Sequence, residues 1–431
     1  KRKYNSIQKY LLQENHKFHQ GSMRHESVNI ENIVEVPPKV AIVIVSYNHK
    51  QMMIECIESI RRNNASDTYK LIVVDNASDD GVVEWLEKQN DVLLIANNEN
   101  KGFPYACNQG IAAADKGMDI LLLNNDTIVP KDALFWLRMG LYENEEIGAV
   151  GSVSNNVVNY QQVKEQYSTV REWMDFAVRN NVEMEYPYEN KSWLVGFAML
   201  IKRKAIDKLV DNEKITNEKI PEILDTRFSP GNYEDNDLSI RLIKCGYKLL
   251  LCKNSFIYHY GGSSFNKFPE KYTKLLLENE KKLELKYGID YVPFSYVESA
   301  LVDMIKGNRE SFSVLEFGCK LGATLARIQS IFPKVNIYGV EENPKLYELA
   351  RQAPVTLSMN DINGKWDYII LDRVLSKDNA LELLEKAIRH LKTDGGILIS
   401  VDNTQCIREN RKGMCLDEIL SVCNEIRLKV Q

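Results

Sequence analysis

The sequence predicts an α/β protein: a domain with a mostly parallel sheet, then a second α/β domain in the last third of the chain. Three observations carry that expectation. From residue 40, short β-branched runs alternate with stretches at helical spacing. The runs are apolar throughout, as in strands buried on both faces. The alternation restarts near residue 312, after a helix rich in Lys and Glu.

Taken in order, VAIVIVSY (40–47) is too short for most helices and reads as a first strand. MMIECIESIRRN has helical spacing, KLIVVDNAS is a second strand, and DGVVEWLEKQ a second helix. DVLLIAN, FPYACNQGIAAAD and DILLLNN continue the pattern as strand, helix and strand. Strands alternating with helices of about 10–15 residues imply crossover connections and a parallel sheet. Residues 160–192 show no clean period and are rich in Tyr and charge; WLVGFAMLIKRKAIDKL then reads as a strand entering a helix. Before the first strand, residues 4–20 suit a short amphipathic helix, followed by a linker closed by Pro37-Pro38. The expected organisation is 1–38 helix and linker, 39–267 first domain, 268–294 connecting helix, and 295–431 second domain.

The 431 residues exceed what one core commonly organises. A net charge of −5 argues against nucleic acid and against an electrostatic membrane binder, leaving at most peripheral membrane contact. No apolar run approaches the roughly 20 residues that span a bilayer. KRKYNSIQKY lacks the apolar region of a secretory signal, and the chain does not begin with Met, as a fragment would not. The eight cysteines are scattered singly, without metal spacing. Cys56, Cys245 and Cys423 read as reduced, buried thiols, and a cytoplasmic location follows as the default.

In open α/β sheets, ligands bind outside the carboxyl ends of the strands. Three polar clusters fall there: Ser46-Tyr47-Asn48, Asp75-Asn76-Ala77-Ser78 and Asn124-Asn125-Asp126-Thr127. Each alone suits turn or cap chemistry; together they line one edge of one sheet. A fourth cluster, Glu234-Asp235-Asn236-Asp237, precedes LSIRLIKC, where acidic residues offset a helix dipole and Gly246 ends the helix.

VSYN, VVDNASDDG, NKGFPYACNQGI, LLLNNDT, WLVGFAMLIKR, YEDNDLSIRLIKCGYK and YHYGGSS stand in the order found in the family 2 glycosyltransferases. The resemblance covers residues 40–265 and implies a GT-A nucleotide-sugar-binding domain. It implies that Asp126 closes the family's D-x-D motif, with Asn124 at the first position, and that His259 is a second metal ligand. Mn²⁺ suits such an oxygen and imidazole set, with Mg²⁺ the alternative. By the same resemblance Asp235 is the general base that deprotonates an acceptor hydroxyl, with inversion at the anomeric carbon. Ser46, Tyr47, Asn48, Asp75, Asn76, Gly102, Asn108 and Asn125 fall to the donor, whose implied base is uridine or thymidine. Trp193, Gly196 and Glu234 fall to the sugar or acceptor, and Arg241 to bracing the acidic cluster. The expected partners are a UDP- or dTDP-sugar and a glycan or protein acceptor, flagellin being one kind. Hexosamine or rhamnose is the expected sugar.

In the second domain, VLEFGCKLGATL resembles the first loop of class I S-adenosylmethionine-dependent methyltransferases. Glu316, Gly318 and Gly322 match, and Glu341 after NIYGV matches the acidic residue that binds the cofactor ribose. Asp361 falls near an adenine contact, and Asp372 ends a strand resembling the family's fourth. Lys320, however, stands where the middle glycine belongs, adding bulk where backbone should approach a ligand. A Rossmann-like, possibly incomplete domain is expected. Its methylating role is an alternative to a structural or acceptor-docking one. A non-catalytic scaffold is the third reading of the whole chain.

Overall fold

The computed structural model describes residues 2–19, 36–212, 222–261, 269–306, 311–376, 378–401 and 416–425. Most of the expected linker, residues 213–221 and the GSS end of YHYGGSS lie outside them. The chain divides into two compact units, Lys1–Gly288 and Ile289–Gln431.

The first unit is built on an eight-stranded sheet. Its strands are β1 (Val40–Ser46), β2 (Tyr69–Asp75), β3 (Val92–Ala96), β4 (Asp119–Asn124), β6 (Ile147–Val153), β7 (Tyr188–Lys191), β8 (Ala198–Ile201) and β9 (Lys248–Phe256). They lie in the order β3-β2-β1-β4-β8-β6-β9-β7. A separate ribbon pairs β5 (Thr127–Ile128) with β10 (Tyr258–His259). The first four strands run parallel, with Ser46 opposite Asp75 and Val45 opposite Asn124. That register sets the polar clusters side by side at one edge. β8 runs antiparallel between β4 and β6, so the sheet is mixed and mostly parallel.

The helices are α1 (Arg2–His19), α2 (Lys50–Asn63), α3 (Val82–Leu86), α4 (Phe103–Ala112), α5 (Ala133–Leu141), α6 (Val170–Asn180), α7 (Arg203–Asn212), α8 (Glu234–Lys244) and α9 (Pro269–Tyr287). α1 is no loose extension. Tyr4, Ile7 and Leu11 recur at helical spacing and join the main core beside α5. Burying Ile7 and Leu11 contributes roughly 2 kcal/mol each. The Arg138 guanidinium, itself buried, meets Glu14 of α1 at 2.6 Å.

Residues 160–192, without clean period in the sequence, contain α6. Thr169 and Glu172 form a reciprocal capping box at its start. Trp173, Phe176 and Ala177 then bury one face against Val153, Leu251 and Phe256, Trp173 stacking on Phe256 at 5.5 Å. This satellite cluster packs on β9, a strand the sequence hides because its KLLL directly continues the apolar spacing of α8.

The helix expected as a connector between domains, α9, is built into the first unit. Asn279 and Leu283 on it are fully buried. α8 ends as expected: Gly246 takes φ +88°, its N–H donates to Ile243 O at 2.8 Å, and Tyr247 N–H donates to Leu242 O at 3.1 Å. That is a Schellman termination.

The second unit holds a five-stranded sheet in the order β13-β12-β11-β14-β15. Its strands are β11 (Ser313–Phe317), β12 (Asn336–Val340), β13 (Val355–Thr356), β14 (Trp366–Asp372) and β15 (Leu391–Ser400), every pair parallel. The order reverses at β11, the place where such sheets open a crevice. Among the described residues, no helix of either unit is long and apolar enough to cross a membrane.

Candidate active site

Asp126 leaves β4 at the polar edge of the first sheet and is almost fully buried. The two-residue ribbon brings its partner from 133 positions away: His259 pairs with Thr127 across β5 and β10. His259 Nε2 stands 3.2 Å from Asp126 Oδ1 and 3.3 Å from Asn124 Nδ2. The other ring nitrogen, Nδ1, donates to Asn156 O at 2.8 Å. That bond assigns the hydrogen of Nδ1, so Nε2, the nitrogen facing Asp126, is the one that takes up a proton or a metal ion. Asn155 holds the same residue from both sides, accepting from its N–H at 2.9 Å and donating to its carbonyl at 3.0 Å. Phe197 stacks on the ring at 5.1 Å. Burial alone lowers the imidazole pKa, but the Asp126 carboxylate reverses this and raises it. A proton and a metal ion therefore compete for Nε2.

This pair fits a divalent cation that accepts both nitrogen and oxygen. Among the described residues, no group of three or more His, Cys, Asp or Glu side chains converges as a complete cage.

The rim beside it is tightly cross-tied. Asp75 Oδ1 accepts from Ser78 N–H at 2.9 Å and Oδ2 from Ser78 Oγ at 2.6 Å. Asn48 N–H donates to the Ser78 hydroxyl at 2.7 Å, while Asn48 Oδ1 accepts from Asp79 N–H at 2.9 Å. Asn76 N–H donates to Ser46 O at 2.8 Å, and its side chain bonds Gly102 O and Asn97. Asn125 Nδ2 reaches Asn48 O at 3.4 Å, and Tyr47 is exposed on the rim. Gly102 is required twice over: φ is +85°, and an added Cβ would meet Ser229 Oγ at 2.7 Å.

Two residues expected at the donor have buried side chains. Asn108 is buried and uses both ends of its amide on Leu224, donating to its carbonyl at 2.7 Å and accepting from its N–H at 2.8 Å. Ser46 is fully buried, its hydroxyl without a hydrogen-bond partner. Only the backbone of Ser46 reaches the rim network.

The acidic cluster forms the first turn of α8, where Glu234, Asp235 and Asp237 have different surroundings. Asp235 is half-buried; Oδ2 accepts from Gly196 N–H at 3.0 Å and Oδ1 from Asn236 N–H at 2.8 Å. Burial raises its pKa above the usual Asp range, opposed by those two backbone donors. Glu234 is more deeply buried, with Oε2 unpartnered; burial and then the neighbouring Asp235 charge push its pKa well up. Both carboxyls are thus harder to ionise than free ones, and Asp235, the less buried, is the one held by backbone N–H donors. Asp237 is fully buried and accepts from Arg241 Nε at 2.8 Å, which makes it structural. Gly196 contributes its N–H, and a Cβ there would lie 3.4 Å from that of Asp235. Trp193 is buried behind it, with Nε1 unpartnered.

Sequence reasoning missed Asn155, Asn156 and Phe197, which hold His259 in place, and placed Ser78 in a strand-end cluster without a role. The adjacent amides Asn155-Asn156 were the one available signal, but they follow β6, a strand that two glycines obscure.

In the second unit, the residues expected to hold S-adenosylmethionine do share a loop edge. They are engaged with one another. Lys320, at φ +55°, pairs its ammonium with Asp372, which also accepts from Ser400 Oγ. Glu341 accepts from Lys320 N–H at 2.7 Å and Asn343 N–H at 2.9 Å. Glu316 is sealed, its pKa pushed well up by burial and then by Asp372. Asp361 bonds Thr356 Oγ1 at 2.9 Å. An acidic residue turned to its own backbone and a lysine lying across the crevice do not fit an adenosyl cofactor.

The first unit thus sets a carboxylate, an imidazole and an acidic helix start around a mixed, mostly parallel sheet. Residues 41–210 match the model of glycosyl transferase family 2, so the chain carries a domain of that family. Among curated proteins, the glycosyltransferase YfnE of Bacillus subtilis (strain 168), itself described as uncharacterized, is 26% identical over 255 residues, covering 51% of this chain and 64% of that protein. A dolichyl N-acetyl-alpha-D-glucosaminyl phosphate 3-beta-D-2,3-diacetamido-2,3-dideoxy-beta-D-glucuronosyltransferase of Methanococcus voltae is 22% identical over 245 residues, covering 53% and 69%. The chain thus spans under two thirds of the length of the first of these. A solved structure, the mannosyltransferase PcManGT from Pyrobaculum calidifontis in complex with GDP-Man and Mn²⁺, superposes with a TM-score of 0.43 at 14% identity over 80% of each chain.

Proposed function

We propose that the first unit is an inverting, metal-dependent glycosyltransferase that moves a sugar from a UDP- or dTDP-sugar to a hydroxyl of a glycan or protein. The carrying observation is the Asp126–His259 pair, with Nε2 turned to the carboxylate at 3.2 Å while Nδ1 is tied to Asn156 O. A divalent ion held by these two would neutralise charge on the departing nucleoside diphosphate. The cross-tied rim of Asn48, Asp75 and Asn76 fits a nucleoside, with Asn125 beside it.

Asp235 acts as the base. It takes the proton of the acceptor hydroxyl as that oxygen bonds the anomeric carbon and the bond to the diphosphate breaks. Attack opposite the leaving group inverts the carbon. Gly196 N–H steadies the carboxylate, while neutral Glu234 offers a hydrogen-bond donor to sugar or acceptor. Hexosamine or rhamnose is the proposed sugar, and a surface glycan or a protein such as flagellin the acceptor. The second unit enters as a non-methylating domain, for the reasons its crowded crevice gives.

The test is nucleoside diphosphate release from a panel of UDP- and dTDP-sugars, with Mn²⁺ and with chelator. Metal-dependent release from one donor supports the proposal and identifies that donor. No release from any donor, with no nucleotide binding, overturns it.

A further inference from the structure

The base-bearing turn of α8 is preceded by a difficult piece of chain. Asn232 and Tyr233 both take left-handed backbone conformations, φ +73° and +74°. That region is uncommon for residues other than glycine, and two in succession persist only where neighbours over-determine them. The neighbours come from α9, which lies beyond the family-matched residues 41–210.

One side chain of α9 gathers the loop. Asn279 Nδ2, fully buried, lies 3.0 Å from each of the carbonyls of Phe228, Gly231 and Asn232. The last turn of α9 then reaches the acidic cluster. Lys286 Nζ bridges two buried carboxylates, Asp237 of α8 and, at 2.8 Å, Asp225. Tyr287 OH donates to Asp237 at 2.7 Å. Asp225 caps the short turn Thr226–Phe228 that opens the loop. Burial pushes the Asp225 carboxyl up, yet Arg227 and Lys286 hold it below its usual range. Arg241 holds Asp237 within α8 and donates to Ile223 O, and the bonds from Lys286 and Tyr287 add a tie from α8 to α9.

We propose that Lys286 and Asn279 are positioning residues for the reaction, fixing the loop and first turn of α8 so that Asp235 is aimed at the acceptor. The inference rests on reading Asp235 as the base. It makes α9 part of the catalytic apparatus and places the functional end of this unit near residue 288.

The experiment uses the full chain with Lys286→Met, Lys286→Arg and Asn279→Ala, and the donor that the wild type turns over. Misplacing a reacting group by about 1 Å can cost roughly 100-fold. Lys286→Met is expected to lower kcat about 10- to 100-fold, with KM for the donor unchanged and much of the loss recovered in Lys286→Arg. Hydrogen exchange is read in parallel: amides of residues 229–236 lose protection in Lys286→Met and Asn279→Ala, while those of 40–46 do not. Unchanged exchange at 229–236, or a lower melting temperature with full kcat, overturns the proposal. A wild type that releases no nucleotide overturns the transferase reading alone, because hydrogen exchange tests the brace without turnover.

Discussion

At the end of β4, Asp126 faces Nε2 of an imidazole whose other ring nitrogen is tied to Asn156. At the end of β14, Asp372 meets the ammonium of Lys320 and the hydroxyl of Ser400. Both carboxylates are buried, and both end a parallel strand beside the first strand of their sheet. The difference is what answers the charge. In the second unit a fixed cation from the chain does so, and the neighbouring Glu341 is turned to its own backbone. In the first unit the partner is an imidazole, which answers the charge only when it is protonated. A strand-end acid thus marks a site only when its own chain has not already neutralised it.

Expected outcomes follow from that contrast, the largest first. Asp235→Asn keeps the shape and the Gly196 contact but removes the base; transfer to acceptor should fall about 100- to 10,000-fold, measured as product per folded enzyme. Retained transfer would make the α8 carboxylate as structural as Asp372.

The pH profile sharpens the same point. Burial raises the pKa of Asp235, with Glu234, Asp237 and Tyr272 as its titratable neighbours. The base must be ionised, so transfer should rise with pH along an acid limb centred above the ordinary Asp value of 3.8. For folding the sense is the reverse. A raised carboxyl favours the folded state while protonated, so that contribution is present below the ordinary value and lost as pH rises through the folded one. A rate profile flat down to that ordinary value contradicts the assignment.

In the second unit, Lys320→Ala takes the close ammonium from Asp372 and leaves it Arg373 Nε at 4.0 Å. Breaking such a pair should destabilise that unit by roughly 3 kcal/mol, read by chemical denaturation. S-adenosylmethionine should give no thermal shift in the wild type. A clear shift would show that the crevice opens to the cofactor. The smallest effect belongs to Thr169→Ala, far from both strand-end clusters in sequence. It removes the α6 cap, and about 1 kcal/mol should be lost while kcat stays unchanged.

How much of this the sequence shows depends on the range of each interaction. β1 to β4 and their polar ends were legible because apolar runs and adjacent Asn and Asp residues are local signals. α6 had a readable box in Thr169 and Glu172, but its apolar face of Trp173, Phe176 and Ala177 was lost among Tyr and charge. β9 and β6 were obscured by the spacing of α8 and by two glycines. What no local pattern carries is partnership across long separations: Asn279 with the loop at 228–232, Asn155 with His259, or the diversion of Asn108 to Leu224. Lys320 was legible as an oddity. Its pairing with Asp372 was not, because that depends on β11 and β14 lying side by side.

The most direct measurement is Mn²⁺ binding by isothermal titration in the presence of UDP, for wild type and Asp126→Ala. Saturable binding in the wild type, lost or weakened at least about 10-fold in the variant, is the predicted result. Equal binding in both proteins, or none in the wild type with UDP or dTDP, would contradict the claim that this strand end holds a metal.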